Sequence, residues 1–183
     1  MENKYNPDIH HRRSIRLKHY DYTQTGAYFV TVCTWQKECL FGDVVDGETR
    51  LNEYGNVVVD CWNKIPSHFQ YVGLDAFIVM PNHVHVIIVM DNCRGKACLA
   101  PTWERGQFGK PITGSLPTIV GSFKSAVTKQ INTIRNTPGT PLWQRNYYEH
   151  VIRNDDELQR IREYIINNPL QWADDEINPA NMW

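Results

Sequence analysis

Two histidines separated by one residue, His83 and His85, stand in an apolar stretch that runs from residue 80 to residue 89. In a β-strand, residues two apart project from the same face, so the two imidazoles would lie side by side. The alternating residues, beginning with Val84, would enter the opposite, apolar side. Two imidazoles can bind one divalent cation, but such a pair alone is more often two ordinary hydrogen-bonded histidines. A metal site therefore requires a further ligand from elsewhere in the chain.

A second pair of polar residues, Tyr164 and Asn168, lies four residues apart in a segment with helical periodicity. On a helix this spacing stacks a phenol and a carboxamide on the same face. Placed against the histidines, Asn168 offers an oxygen ligand and Tyr164 a hydroxyl, and a mixed nitrogen and oxygen set suits Mg²⁺ or Mn²⁺ engaged with a phosphate. Taken singly, Tyr164 is typical of a core tyrosine and Asn168 of a helix C-cap. Only the joint pattern favours a site.

The elements that would position these residues follow from periodicity and turn signals. The sequence predicts a core strand at Tyr28–Trp35, a hairpin turn at Asp46-Gly47, and a helix from Leu51 that Asn52 caps and Pro66 stops. It then predicts an antiparallel pair of strands at Leu74–Met80 and His83–Met90.

The second half of the chain begins with residues 91–116, a long loop without periodicity that is a candidate substrate flap. A second helix is predicted from Ser115 and Pro117, with a buried stripe of Ile119, Phe123, Val127, Ile131 and Ile134. Strand character resumes at Trp143–Ile152. A third helix runs from Asn154, paired with Glu157 in a capping box, to about Asn168, where Pro169 ends it. The order predicts an α+β fold: a ferredoxin-like split βαβ sandwich, an antiparallel sheet with helices on one side and an additional C-terminal helix.

Composition bounds the class of protein. A chain of 183 residues with 42% hydrophobic residues is long enough for one globular domain, and its apolar runs are too short to cross a bilayer. The five cysteines contain no Cys-x-x-Cys, and a cytoplasmic location is the simplest expectation. The net charge of -1 hides a segregation, because residues 94–162 carry eleven Lys or Arg against five acids. Residues 1–22 form a basic arm of the kind that lies along phosphates, although solvated charge explains it equally well.

The motifs resemble those of a known family. The stretch around His83 and His85 resembles the histidine-hydrophobic-histidine (HUH) motif of the HUH single-strand endonucleases. The helix from Tyr164 to Pro169 resembles the catalytic helix of their single-tyrosine transposases. Within that family, the segments 142–153 and 12–17 look most like those of the REP-associated tyrosine transposases. The resemblance spans roughly residues 12–172 and would make residues 1–183 a single transposase-type HUH domain.

The resemblance implies a site and a reaction. It makes His83, His85 and Asn168 the ligands of a divalent metal, Mg²⁺ or Mn²⁺, and Tyr164 the nucleophile. Asn168 stands where insertion-sequence relatives often use Gln, and Arg160 and Asn168 leave no second tyrosine beside Tyr164, which favours the single-tyrosine class. The expected reaction is cleavage and transfer of single-stranded DNA through a covalent 5'-phosphotyrosine. Tyr147 and Tyr148 are rival nucleophiles that lack a ligand four residues on.

The partner that the resemblance implies is single-stranded or hairpin DNA. Candidate phosphate contacts are Arg12, Arg13, Arg16, Lys124, Lys129 and Arg145, and His150 and Arg153 are candidate supports for the metal or the phosphate. Two alternatives stay open at this point: a DNA- or RNA-binding module with a relict site, and a metal-dependent phosphohydrolase without a covalent step. Monomer and homodimer also stay open, because the tyrosine could complete the site of its own chain or of a partner.

Overall fold

The computed structural model describes residues 20–91 and 114–181. Most of the predicted basic arm, 1–22, and most of the predicted loop, 91–116, lie outside the described residues. None of the helices in these two described ranges has the length and apolar character needed to cross a bilayer.

Within the described residues, six strands form two sheets, and their bounds are β1 Gly26–Cys33, β2 Gly42–Val45, β3 Glu48–Leu51, β4 Val72–Val79, β5 His83–Met90 and β6 Tyr148–Ile152. The main sheet has the order β4-β5-β1-β6, and each neighbouring pair is antiparallel. The strands β2 and β3 form a small hairpin closed by Asp46 and Gly47, both at positive φ, as the Asp-Gly pair predicts.

The same two ranges contain four helices, α1 Glu53–Asn63, α2 Ile65–His68, α3 Leu116–Ile134 and α4 Asp155–Asn167, with 3-10 turns at Trp35–Lys37, Asn168–Asp174 and Pro179–Asn181. The Asn52 side chain caps α1 by accepting from the amides of Tyr54 and Gly55. The predicted stop at Pro66 is displaced, because α1 ends at Asn63 and Pro66 lies in the first turn of α2, where its missing N–H costs nothing.

The main core lies between one face of the sheet and the helices α1 and α3. Alternate residues of β5, among them Val84 and Val86, pack here against side chains such as Trp62 of α1 and Ile119 of α3. The predicted stripe of α3 is buried except for Ile134, which ends the helix and is 42% exposed. The split βαβ architecture is confirmed, and it directs the odd residues of β5, including both histidines, to the opposite face.

That opposite face is covered by α4. Ile165 packs there on Phe29, Ile87 and Ile152 in a second, smaller cluster. The guanidinium of Arg162 makes two hydrogen bonds to the carboxylate of Asp75 in β4, at 2.8 and 2.6 Å. A charged pair and an apolar cluster thus hold α4 across the sheet. They place the helical turn that carries Tyr164 beside β5.

Two boundaries differ from the sequence expectation. The strand predicted at Trp143–Ile152 begins only at Tyr148, because the backbone carbonyls of residues 144–146 face the ammonium of Lys124 instead of a neighbouring strand. The capping box of α4 is also shifted by one residue. Asn154 accepts from the amide of Glu157 as predicted, but the Glu157 carboxylate accepts from the amide of Arg153 rather than that of Asn154.

Candidate active site

The two histidines of β5 meet at their Nε2 atoms, which lie 3.0 Å apart. His83 is fully buried and His85 is 2% exposed. Two nitrogen ligands at about 2.1 Å from one ion, in adjacent octahedral positions, are separated by about 3.0 Å. The separation in this structure therefore fits two ligands of a single cation.

The tautomer of His83 follows from its neighbour Asn82. The Asn82 amide nitrogen donates to the carbonyls of Lys37 and Ile177, so its side-chain oxygen faces Nδ1 of His83 at 2.8 Å. Since that oxygen only accepts, Nδ1 of His83 carries the proton and donates it. The lone pair of His83 is left on Nε2, which faces His85.

His85 is held by Thr31 and Phe29 of β1. The Thr31 hydroxyl lies 2.8 Å from Nδ1 of His85, and the Phe29 ring stacks on the imidazole with a centroid separation of 5.4 Å. A hydroxyl can donate or accept. Nδ1 of His85 can therefore carry the proton and donate it to Thr31, and this tautomer leaves both Nε2 atoms free to bind a cation.

Burial sets the protonation of both imidazoles. It lowers the pKa of His83 to about 4, more than the nearby Asp175 carboxylate raises it. It also lowers the pKa of His85 well below its ordinary value, and His83 adds to this effect. At neutral pH both rings are uncharged, which is the state that binds metal.

Tyr164 reaches the histidines from α4. Its hydroxyl lies 3.4 Å from Nε2 of His85, its ring centroid lies 5.2 Å from the imidazole, and 42% of the side chain is exposed. Burial first, and then the charge of Asp175, raise the pKa of the phenol. The resemblance implied that the phenol serves the histidine site without saying whether it does so in its own chain, and the structure brings the two together within one chain.

Asn168 supplies an unusual atom. The residue is 1% exposed, and its side chain lies close enough to His83 and Tyr164 to raise the pKa of the imidazole and lower that of the phenol, yet its buried Oδ1 makes no hydrogen bond of good geometry within the described residues. An unpaired buried carbonyl oxygen is costly, and a bound cation would offset that cost. Because this oxygen is a suitable ligand for Mg²⁺ or Mn²⁺, the residues present fit a divalent ion beside His83 and His85.

A carboxylate that the sequence analysis missed completes the group. Asp175 follows the turn after α4, and its Oδ2 lies 4.0 Å from Nε2 of His83. Ligand atoms of His83, His85 and Asp175 all lie within 4.8 Å of one another. The only signal in the sequence was the acidic run Asp174-Asp175-Glu176, which says nothing about distance because an irregular turn separates it from the helix.

The two predicted supporting residues, His150 in β6 and Arg153 just before α4, both contact the first turn of that helix. Nε2 of His150 makes a 2.8 Å contact with Oε1 of Glu157, and the amide of Arg153 donates to Oε2 of the same side chain. Glu157 thus joins the end of β6 to the first turn of α4.

Three of the predicted phosphate contacts line one groove of about 800 Å³ between α3 and residues 136–145, defined here as the basic groove. Its cations are Lys124, Lys129 and Arg145, and no acidic residue lines it in the described part of the chain. Lys124 is engaged by the carbonyls of residues 144–146, and burial lowers its pKa to about 8. Arg12, Arg13 and Arg16 lie outside the described residues.

Comparisons with known proteins place the chain among relatives. It is 44% identical over 179 residues to an uncharacterized protein of Haemophilus influenzae, covering 97% of this chain and 98% of the other. It is 22% identical over 151 residues to a protein of the same organism named "Putative REP-associated tyrosine transposase", covering 82% of this chain and 74% of that one. No family model matches the sequence.

A solved structure shares the fold. It is a REP-associated tyrosine transposase bound to a REP hairpin, and it superimposes with a TM-score of 0.59 at 16% identity, covering 86% of this chain and 74% of that chain. The predicted resemblance to REP-associated tyrosine transposases is thereby confirmed for the fold, with a distant sequence similarity in agreement.

Proposed function

We propose that this chain is a single-strand DNA transferase. The premise is that it belongs to the same family as the 44% identical Haemophilus influenzae protein and has the fold of a REP-associated tyrosine transposase. In this proposal it cuts and rejoins DNA through a covalent bond between Tyr164 and a 5'-phosphate. The preferred substrate is a single strand that carries a hairpin.

One observation carries the proposal. A partly exposed phenol lies 3.4 Å from Nε2 of a buried histidine that itself faces a second histidine. A core tyrosine would be buried, and a structural histidine pair would not need an unpaired carboxamide oxygen beside it. The arrangement instead combines a partly exposed tyrosine with ligands for one cation, as strand transfer requires.

The covalent step exchanges one phosphodiester for another. The Tyr164 oxygen attacks phosphorus, the bond from phosphorus to the 3'-oxygen breaks, and the phenolic proton ends on that 3'-oxygen. The reverse attack by a 3'-hydroxyl of another strand releases the tyrosine and joins the ends. Because each step replaces one ester by another, no external energy source is consumed.

The protein's own residues position the reactants. The two Nε2 atoms of His83 and His85 and the oxygen of Asn168 would hold the cation, with the Asp175 carboxylate as a further ligand or counter-charge. The cation, Mg²⁺ or Mn²⁺, would orient the scissile phosphate and stabilise negative charge in the transition state. Asp75 and Arg162 hold α4, and with it the phenol, over β5.

The basic groove is the proposed path for part of the DNA backbone. Within the described residues, the side chains of Lys129 and Arg145 make no hydrogen bond to a protein carbonyl, whereas Lys124 holds residues 144–146 in place. In this proposal Lys124 therefore shapes the groove, and the phosphate contacts fall to Lys129 and Arg145. The roles of Arg12, Arg13 and Arg16 remain as the resemblance implies.

The experiment is a covalent-capture assay. A hairpin oligonucleotide labelled 3' of the expected cut is incubated with Mn²⁺ and wild-type protein, and denaturing gels are read for a labelled protein band. The wild type is expected to form the adduct, Tyr164→Phe to bind the oligonucleotide without forming it, and Tyr148→Phe, the matched control, to behave as the wild type.

Two other outcomes would replace the proposal. If neither the wild type nor Tyr164→Phe cuts or captures the oligonucleotide although both bind it, the chain is a binding module with a relict site. If Tyr164→Phe still cuts while His85→Ala does not, the protein is a metal-dependent phosphohydrolase without a covalent step.

A further inference from the structure

We infer that Tyr148 binds the DNA strand by stacking on a base next to the scissile phosphate. The inference rests on the proposed function, since it assigns a substrate contact to the same site. Tyr148 belongs to β6, an edge strand of the main sheet, and among the described residues Tyr148 and Tyr164 are the two exposed tyrosines.

The sheet register puts Tyr148 on the face that carries the candidate site. Tyr148 pairs with Thr31, and Thr31 pairs with His85, so the three residues form one row across β6, β1 and β5. Directly paired residues in antiparallel strands project to the same side. The hydrogen bond between Thr31 and His85 confirms this orientation for the inner two members of the row.

Phe29 links the two exposed tyrosines. Its ring centroid lies 6.2 Å from that of Tyr148 and 6.0 Å from that of Tyr164, with T-shaped geometry in both contacts. One buried ring therefore separates Tyr148 from the proposed nucleophile. The two tyrosine rings are therefore at most about 12 Å apart, so a strand whose phosphate lies at the Tyr164 hydroxyl can reach Tyr148 with a base one or two nucleotides away.

Exposure distinguishes Tyr148 from a core residue. Its side chain is 53% exposed, whereas Tyr147, the preceding residue, packs against the main core. An aromatic ring left open to solvent beside a phosphodiester site is suited to base stacking, which every base can provide through its π-face. Arg145, three residues earlier in the chain, lines the basic groove, so a cation and a ring follow each other along the segment that enters β6.

The test measures binding, so that it does not depend on cleavage. The probe is a fluorescein-labelled single-stranded 20-mer of mixed sequence, titrated by anisotropy in EDTA over a series of salt concentrations. Tyr148→Ala is expected to bind about tenfold more weakly than the wild type, the usual size of one lost stacking contact. The slope of log affinity against log salt is expected to stay unchanged, because no phosphate contact is lost.

Three further variants make the result specific. Tyr148→Phe keeps the ring and is expected to bind within twofold of the wild type. Tyr148→Leu keeps an apolar contact with Phe29 without an aromatic face, and it is expected to lose as much affinity as Tyr148→Ala. Ile134→Ala, which removes an exposed apolar side chain from α3, is the matched surface control and is expected to bind normally.

The inference is overturned if Tyr148→Leu binds as tightly as the wild type, or if the loss is accompanied by a lower salt slope. In either case the wild type can still form the Tyr164 adduct, so the proposed function would stand while the stacking role falls. If the wild type neither binds the oligomer nor forms an adduct with hairpin DNA, both proposals fail together.

Discussion

The hydroxyl of Thr31 lies 2.8 Å from Nδ1 of His85, on the side of the ring opposite the Nε2 atom that faces His83. Both residues are buried, so water does not compete for this contact. The hydroxyl satisfies Nδ1 of His85 in either tautomer, and Nε2 can bind a cation when Thr31 accepts from Nδ1.

Thr31→Val should weaken binding of Mn²⁺ by about 10–100-fold, the usual effect of losing a hydrogen bond to a ligating histidine. The shape of the side chain is kept, so the fold should survive. Isothermal titration with Mn²⁺ measures the change, and Thr31→Ser, which keeps the hydroxyl, is the matched control. An unchanged affinity for Thr31→Val would show that Thr31 does not orient a metal ligand.

Asn168→Leu should show separately how the unpaired Oδ1 of Asn168 affects the stability of the metal-free protein and how it contributes to metal binding. Without metal, the variant should melt no lower than the wild type, because a buried unpaired oxygen is removed. With saturating Mn²⁺, the rise in Tm should be smaller, since a tenfold loss of affinity removes about 1.4 kcal/mol of ligand stabilisation. Asp175→Asn is the companion variant. If saturating Mn²⁺ raises the Tm of Asn168→Leu by as much as it raises that of the wild type, Asn168 is not a metal ligand.

Asp75→Asn should change how stability depends on pH. The Arg162 guanidinium holds the pKa of Asp75 below its usual range. A carboxylate with a lowered folded-state pKa stabilises the fold above its unfolded pKa of about 3.9, and the effect is lost as the pH falls through the folded value. The wild type should be more stable than the variant at pH 6, and urea titrations should show this gap closing below about pH 4. A gap of equal size at pH 6 and pH 2 would contradict the ion pair.

Mixing two inactive variants should not restore activity. The phenol and the histidines meet within one chain, so Tyr164→Phe and His85→Ala each lack part of every site they form. The adduct assay on an equimolar mixture should give no labelled band beyond that of each variant alone. Recovery of the adduct would show that the tyrosine acts on the metal site of a partner subunit.

Local signals predicted most of the fold. Asn52 before an apolar periodic run, the Asp46-Gly47 turn and the alternation around His83 each specify short-range structure, and each appears where expected. The failures are long-range. The late start of β6 depends on Lys124, which lies twenty residues before the carbonyl it binds most closely, and no periodicity reports such a contact.

The candidate site was predictable only where regular elements carry it. Residues that alternate along a strand share a face, and this pointed to His83 and His85. Residues four apart on a helix also share a face, and this pointed to Tyr164 and Asn168. The structure places the four side chains together. Asp175 was missed because a 3-10 turn carries it back over the histidines. Tyr148 was considered only as a rival nucleophile, because its exposure and its row in the sheet are properties of the folded chain.

Mapping the covalent bond tests the central claim most directly. Wild-type protein captured on a hairpin oligonucleotide with Mn²⁺ is digested with nuclease and protease, and the peptides are sequenced by mass spectrometry. The account predicts that the nucleotide mass lies on residue 164, in the peptide from α4. A nucleotide on Tyr148, on Tyr147 or on no tyrosine, in protein that has cut the DNA, would contradict it.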